Sequence, residues 1–407
     1  MKACFDSSRI VHRWPRDLSF CLILTVLCQG TLAGAAADVT TQTSKWSGKS
    51  PWSDPNFFPL AVWLQAPANA ARYQKAGINC YVGLWNGPTE EQLAALQKAG
   101  MRVICSQNEV GLKHRDNPLI IGWMHGDEPD NAQALEPGKG WGPPIPPETI
   151  VADYRKLRVE DPSRPVLLNL GQGVAWDAYY GRGVRSNHPE DYPRYIEGSD
   201  IVSFDIYPVV HEKPAVAGKL WFVPQGVERL IKWSGGQKMV WNCLECTHIS
   251  NPDKKATPHQ VRSMAWMSLI QGSQGLIYFV HQFKPTFREA ALLDDPEMLE
   301  AITVLNRQIT DLAPVLRSPS LPSAVTVKCD NPATPLATMV KVAGGATYLF
   351  AAAMREGTTG ATFTLPPNAA GEIEVLGESR TIQARNQEFT DRFGSWDVHL
   401  YRAKNRP

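Results

Sequence analysis

Residues 117–130 read NPLIIGWMHGDEPD, and the way this stretch stops decides the fold. Leu119, Ile120 and Ile121 begin an apolar run that continues through Gly122 and Trp123 and ends at Asp127-Glu128-Pro129. A continuous apolar run, rather than an alternating one, is the pattern of a strand buried on both faces, as in a parallel sheet. Pro129 has no backbone N–H and biases Glu128 away from helix, so the run closes in a turn. Two carboxylates at the C-terminal lip of such a strand stand where barrel enzymes carry out their chemistry.

The same strand–helix alternation recurs on both sides of this stretch. Strands are expected at 57–64, 78–85, 101–107, then the opening stretch, then 166–170, 201–207, 239–245 and 275–281. Helices are expected at 67–75, 147–160, 227–233, 258–271 and 296–316, with one more opened by Thr89. Thr89 caps that helix, Glu90 and Glu91 supply an acidic first turn, and Gly100 ends it. Eight strand–helix units in about 260 residues match a (β/α)8 TIM barrel. A doubly wound sheet fits less well, because no G-x-G-x-x-G follows the first strand. The loops after strands four to eight are long and the returns from helix to strand are short, which thickens one mouth into a cleft.

From residue 318 the pattern changes to short alternating runs at 324–328, 338–342, 347–352, 361–365, 372–376 and 396–402. Gly344-Gly345 is a two-residue hairpin signal. These runs predict a small antiparallel all-β sandwich. The expected division is a signal peptide at 1–37, a catalytic barrel at 38–317 and the sandwich at 318–407. Arg9, His12, Arg13 and Arg16 precede a short apolar segment at 18–28 and an alanine-rich stretch at 33–37, the order of a secretory signal. That segment is too short to span a bilayer, so a secreted or periplasmic bacterial protein beginning near Asp38 is expected.

The 407 residues carry a formal net charge of +1, which points to neither nucleic acid nor a membrane surface as partner. Beyond the signal, Cys80, Cys105, Cys243, Cys246 and Cys329 remain. Cys243 and Cys246 form a C-x-x-C inside an apolar strand with no second half of a zinc site, so both read as packed thiols.

Glu128 closes strand four and Glu245, in MVWNCLECTH, closes strand seven. In a ring of eight strands these two lie across the mouth from each other. Retaining glycosidases need two carboxyls about 5–5.5 Å apart, one attacking carbon and one moving a proton. Mutual repulsion at that separation keeps one of them protonated near neutral pH.

Over 57–316 the chain resembles the clan A glycoside hydrolases, and the closing FTDRFGSWDVHLYRA resembles a sandwich often appended to such barrels. The resemblance implies Glu128 as acid/base, Glu245 as nucleophile, and Tyr207 in SFDIYP as the tyrosine that hydrogen-bonds the nucleophile. One position departs from it: the clan's Asn before the acid/base is Asp127 here, and an ionised Asp accepts but does not donate. Asp127 is therefore both a substrate-binding candidate and a rival for the catalytic role.

Trp85, Gln107, Asn169, Gln172, Asp205 and His281 sit at or just past strand ends, where polar groups bind sugar hydroxyls or else cap loops. Trp141, Trp176, Tyr179 and Tyr180 lie in the long loops, where rings stack on pyranoses or pin the loop. Arg182, Arg185 and Lys284 are either surface charges or partners for an acidic sugar. The expected function is a secreted retaining glycoside hydrolase acting on a β-linked glycan, without metal or organic cofactor. Two other classes compete with it. A metal-dependent barrel hydrolase would use His125, His188, His211, His248 and His281, although the first strand lacks an H-x-H. A glycan-binding barrel would hold sugar without turning it over.

Overall fold

The computed structural model describes residues 44–46, 51–367 and 369–405; the signal-peptide expectation at 1–37 lies outside them. Nine short strands run parallel: β1 (Leu60–Trp63), β2 (Cys80–Val82), β3 (Arg102–Cys105), β4 (Ile120–Met124), β5 (Val166–Leu170), β6 (Ile201–Phe204), β7 (Met239–Val240), β8 (Asn242–Glu245) and β9 (Leu276–Phe279). Their order is β7-β6-β5-β4-β3-β2-β1-β9-β8, so the sheet curls into a nearly closed barrel. β7 pairs with β6 and β8 pairs with β9, and only Trp241 separates β7 from β8. The expected 239–245 strand is thus one barrel stave broken at a tryptophan that is wholly buried.

Strand parity explains the core. Ala61, Trp63, Cys80, Val82, Ile104, Ile121, Leu167, Ile201, Met239, Trp241, Cys243 and Ile277 form a cluster inside the ring. Their neighbours in sequence, such as Leu60, Val62, Tyr81, Val103 and Ile120, pack outward against the helices. Period-two alternation with both faces buried is what makes the strands read as unbroken apolar runs. Trp52, 3% exposed, joins the inner cluster, donates from Nε1 to Ile121 O at 3.0 Å and packs against Trp241.

The helices follow their sequence signals with local differences. Thr89 forms a capping box with Gln92 at the start of α2 (Glu90–Ala99), and Gly100 ends it at φ 66°, in the left-handed region. Before it lies α1 (Ala70–Lys75), entered through a 3₁₀ turn at Pro67–Asn69. The short α3 (Glu109–Lys113), capped by Asn108, and α5 (Tyr192–Glu197) fall where the sequence was read as connection. Between them, α4 (Pro147–Glu160) lies at its expected place, and α6 (Phe222–Trp233) starts five residues early. After α7 (Pro258–Ile270), the expected 296–316 helix is two pieces, α8 (Pro296–Asp311) and α9 (Ala313–Leu316). The break at Leu312 precedes Pro314, whose missing N–H ends the ladder.

The C-terminal strands are β10 (Thr326–Cys329), β11 (Leu336–Ala343), β12 (Ala346–Ala353), β13 (Thr359–Thr364), β14 (Ala369–Val375), β15 (Arg380–Gln383), β16 (Glu388–Phe393) and β17 (Val398–Asn405). They form two antiparallel sheets, β10-β13-β16 and β11-β12-β17-β14-β15. Phe363, Phe389 and Phe393 of one sheet meet Leu349, Ile373 and Tyr401 of the other in a shared core. The opposite face of the larger sheet rests on the barrel, where Phe350 stacks on Trp266 of α7 at 5.4 Å. Gly344 and Gly345 make the β11–β12 turn at φ 56° and 73°, as a type I′ hairpin requires. β15 and β16 are additional to the sequence reading; β15 puts Arg380 on the same face as Ile382, and β16 puts Asp391 between Phe389 and Phe393, which masks the alternation.

Candidate functional site

The lip of β4 carries the cluster. After Met124 the chain turns, and Glu128 adopts φ 43°, a strained conformation for a side chain with a Cβ. The turn is tied on several sides. His125 Nε2 lies 2.8 Å from Gly198 O, Glu128 N donates to Asn169 O at 3.2 Å, and Ile145 N donates to Pro129 O at 2.9 Å. Asp130 is wholly buried and accepts from Gly171 N and the Tyr192 hydroxyl, each at 2.9 Å. Leu64, at the end of β1, and Ile249, in the loop after β8, also have positive φ. For a β-branched residue such as Ile249 this is unusual, and such strain gathers where structure serves function.

Four carboxyl groups, from two strand ends, lie within electrostatic reach of one another here. Glu128 is half-buried, and its proton is held well above the usual range by burial first and then by the charge of Asp205, with Asp127 and Asp130 adding to it. Glu128 and Asp205 lie within electrostatic reach of each other, and their interaction favours the proton on Glu128. Asp205, just beyond β6, is itself pushed up to about 7 by burial and by Asp127, while the neighbouring Glu128 and Tyr207 pull the other way. Asp127 opens to solvent yet is ringed by enough protein that desolvation takes its carboxyl up to about 6, against the lowering effect of Asn169. Asn169 Nδ2 donates to Asp127 Oδ1 at 2.9 Å, and the Ser203 hydroxyl donates to Asn169 Oδ1 at 2.7 Å. An ionised Asp127 only accepts, so it selects the Nδ2 end of the amide and leaves Oδ1 to the Ser203 hydroxyl. The arrangement combines a proton-bearing carboxyl with ionisable neighbours, a pairing able to give and take a proton.

Glu245 ends its strand as the sequence predicts, but its surroundings differ from the expectation. It is wholly buried, and its two oxygens accept from Val209 N at 2.7 Å and Val210 N at 3.0 Å. Burial raises its carboxyl to about 8 against the pull of those two amides. The carboxyl that faces Glu128 is Asp205. Tyr207 does not hydrogen-bond Glu245, because the latter's oxygens are engaged by the amides two and three residues beyond Tyr207. The Tyr207 hydroxyl is buried beside Asp205 without a well-formed hydrogen bond.

The other expected residues divide. Asn169 and Asp205 join the cluster. Trp85 lies at the mouth, 42% exposed, with Nε1 donating to Glu289 Oε1 at 2.7 Å. His281 is buried against Gln65 and Leu64 O, and burial lowers its proton affinity. Gln107 turns to α4, donating to Leu157 O at 3.0 Å, and so holds strand to helix. Gln172 Oε1 accepts from His211 Nε2 at 2.9 Å. Arg182 is buried and pairs with Asp191, which Arg185 also binds, so neither is free for an acidic sugar. Among the described residues, no three His, Cys, Asp or Glu side chains converge as a metal site. His125, His188, His211 and His248 each contact a different partner.

Several participants escaped the sequence reading. From sequence Tyr179 reads only as a loop aromatic, yet its hydroxyl lies close enough to Glu128 and Asp205 for both to raise its proton affinity, after burial. Asp130 stands in the quoted DEPD, and Ser203 two residues before Asp205 in SFDIYP. Cys243, inside the ring, has its thiol proton held by burial and then by Asp205, Asp127 and Glu128.

Comparison with known proteins agrees on the fold. No protein-family profile and no curated protein sequence matches the chain. Among solved structures, AmyP in complex with maltotriose is similar at TM-score 0.54 and 9% identity, over 90% of this chain and 99% of that one. An alpha-galactosidase/melibiase-type protein of Bacteroides fragilis follows at 0.52 and 8%, over 86% and 79%. The alpha-amylase of Geobacillus thermoleovorans, complexed with acarbose, gives 0.51 and 10%, over 87% and 99%. The chain therefore has a fold shared with TIM-barrel glycoside hydrolases that bear C-terminal β-sheets.

Proposed function

We propose that this protein is a glycoside hydrolase in which Glu128 is the proton donor. The observation that carries the reading is the carboxyl cluster itself: a half-buried Glu128 that keeps its proton, with Asp205 opposite and Asp127 open to solvent. Cleaving a glycosidic bond requires a proton for the departing oxygen and a carboxylate for the positive charge that develops at the anomeric carbon. Glu128 supplies the first. We assign the second to Asp205, the carboxyl coupled to Glu128, and assign Asp127, held by Asn169, to accept from sugar hydroxyls. In the retaining form of the reaction the carboxylate attacks, the sugar is held covalently, and Glu128 then takes a proton from water to release it.

The clan resemblance favours Glu245 as the attacking group and a β-linked substrate. In that second reading the Val209 and Val210 amides release Glu245 when sugar binds. A cleaved signal and export from the cell accompany either version, since a glycan-degrading enzyme works where polymers are. The test is an aryl glycoside panel with Glu128→Ala, Asp205→Asn and Glu245→Gln measured separately. Azide rescue of Glu128→Ala on an activated substrate supports the proton-donor role. Loss of turnover in Asp205→Asn with Glu245→Gln active supports the Asp205 pairing, and the reverse result supports Glu245. Undiminished turnover in Glu128→Ala overturns the proposal.

A further inference from the structure

The rim of the barrel mouth carries aromatic rings that the acid chemistry does not use. Gln282 and Arg288 exchange backbone hydrogen bonds of 2.9 and 2.8 Å, closing a small hairpin that presents Phe283 and Phe287. Those rings are 45% and 56% exposed, unusual for phenylalanine, and lie 5.7 Å apart. The hairpin is anchored: Phe283 N donates to Ile249 O at 2.6 Å, and the following Glu289 accepts from both Trp85 Nε1 and Ala66 N at 2.7 Å. His281, 1% exposed with an unpartnered Nδ1, packs beneath Phe283, Phe287 and the edge of Trp85.

This wall is continuous with the acid cluster. Tyr207, beside Asp205, lies 5.1 Å from Phe279, and Phe279 lies 6.2 Å from Phe283. On the other side, Tyr179 adjoins Glu128 and Asp205 and stands 5.5 Å from Tyr180, which is 61% exposed. Flat rings held rigidly at a rim, with the part-exposed Glu289 carboxyl beside them, suit pyranose units, whose apolar faces stack while their hydroxyls hydrogen-bond.

We infer that the mouth carries sugar-stacking subsites on both sides of the cluster, Trp85, Phe283 and Phe287 on one and Tyr179 and Tyr180 on the other. The substrate is then an extended oligosaccharide or polysaccharide held across the scissile bond and cut internally. The internal cut rests on the hydrolase reading above; the stacking does not.

The experiment uses the full chain and three probes: maltohexaose, cellohexaose and xylohexaose, each with its disaccharide. Binding is measured by calorimetry in the Glu128→Gln background, and products are mapped with end-labelled hexasaccharide in the wild type. At least one hexasaccharide binds, and Phe287→Ala weakens it tenfold or more while weakening the disaccharide less. Phe283→Ala acts alike, Phe287→Tyr restores binding, and the products are internal fragments. The inference is overturned if none of the three binds, if the alanine variants weaken all lengths equally or not at all, or if only terminal monosaccharide is released. Length-dependent binding without turnover in the wild type keeps the subsites and removes the hydrolase reading. Turnover of disaccharide with no length dependence does the opposite.

Discussion

Replacing Asp205 by Asn removes the charge that, after burial, does most to hold the proton on Glu128. Two unit charges about 4 Å apart at an effective dielectric near 20 repel by about 4 kcal/mol. Asp205, pushed up to about 7, is only partly ionised around neutral pH, so the realised effect is a fraction of that repulsion. The contact with Asp205 itself also raises Glu128, so weakening it when the acceptor becomes a neutral amide acts in the same direction. Glu128 is therefore expected to titrate at lower pH in the variant. The direction follows from the sign of the coupling: Glu128 is raised in the folded protein, so losing a raising charge lets it ionise at lower pH. The assay is a carboxyl-¹³C NMR titration of glutamate-labelled protein, with Glu128→Gln assigning the resonance. A Glu128 titration that stays where it was, or moves up, refutes the coupling and with it the assigned pair.

Two further outcomes follow from the geometry. Glu245 is raised from 4.5 to about 8 in the folded state, so its contribution to stability is full below its unfolded value and is lost as pH rises through about 8. Within that window it costs up to about 1.36 kcal/mol per pH unit. Glu245→Gln should flatten this decline in denaturant titrations between those limits, and parallel wild-type and variant curves would contradict it. Trp52→Ala empties a buried site beneath Trp241 and deletes a hydrogen bond to Ile121, so unfolding should become easier by about 3–5 kcal/mol. A change under about 1 kcal/mol would mean that the stretch does not close the barrel floor.

The barrel was legible because burial on both faces leaves a chemical trace. Apolar runs such as 117–124, the Thr89 cap and the Gly344-Gly345 turn are local patterns with local causes. The lip position of Glu128 followed from the same logic, since the apolar run must stop where the strand leaves the core. What remained hidden depends on neighbours distant in sequence. Nothing around Trp241 marks the break in its stave, and Arg380 and Asp391, on the inner faces of β15 and β16, conceal their alternation. Above all, strand parity does not say whether a terminal carboxylate reaches into the cleft or ties down a loop. Glu245 is spoken for by amides some 35 positions away, whereas Asp205, which had been marked only as a sugar-binding candidate, faces Glu128.

The proton-donor role of Glu128 is tested most directly by comparing leaving groups in Glu128→Gln. A substrate with a poor leaving group, such as an unactivated oligosaccharide, needs the donated proton, whereas a dinitrophenyl glycoside departs without it. General acid assistance is worth about 10²–10⁴ in rate. The account predicts a loss of that size on the unactivated substrate and a far smaller one on the dinitrophenyl glycoside. Equal losses on both, or none on either, would contradict it.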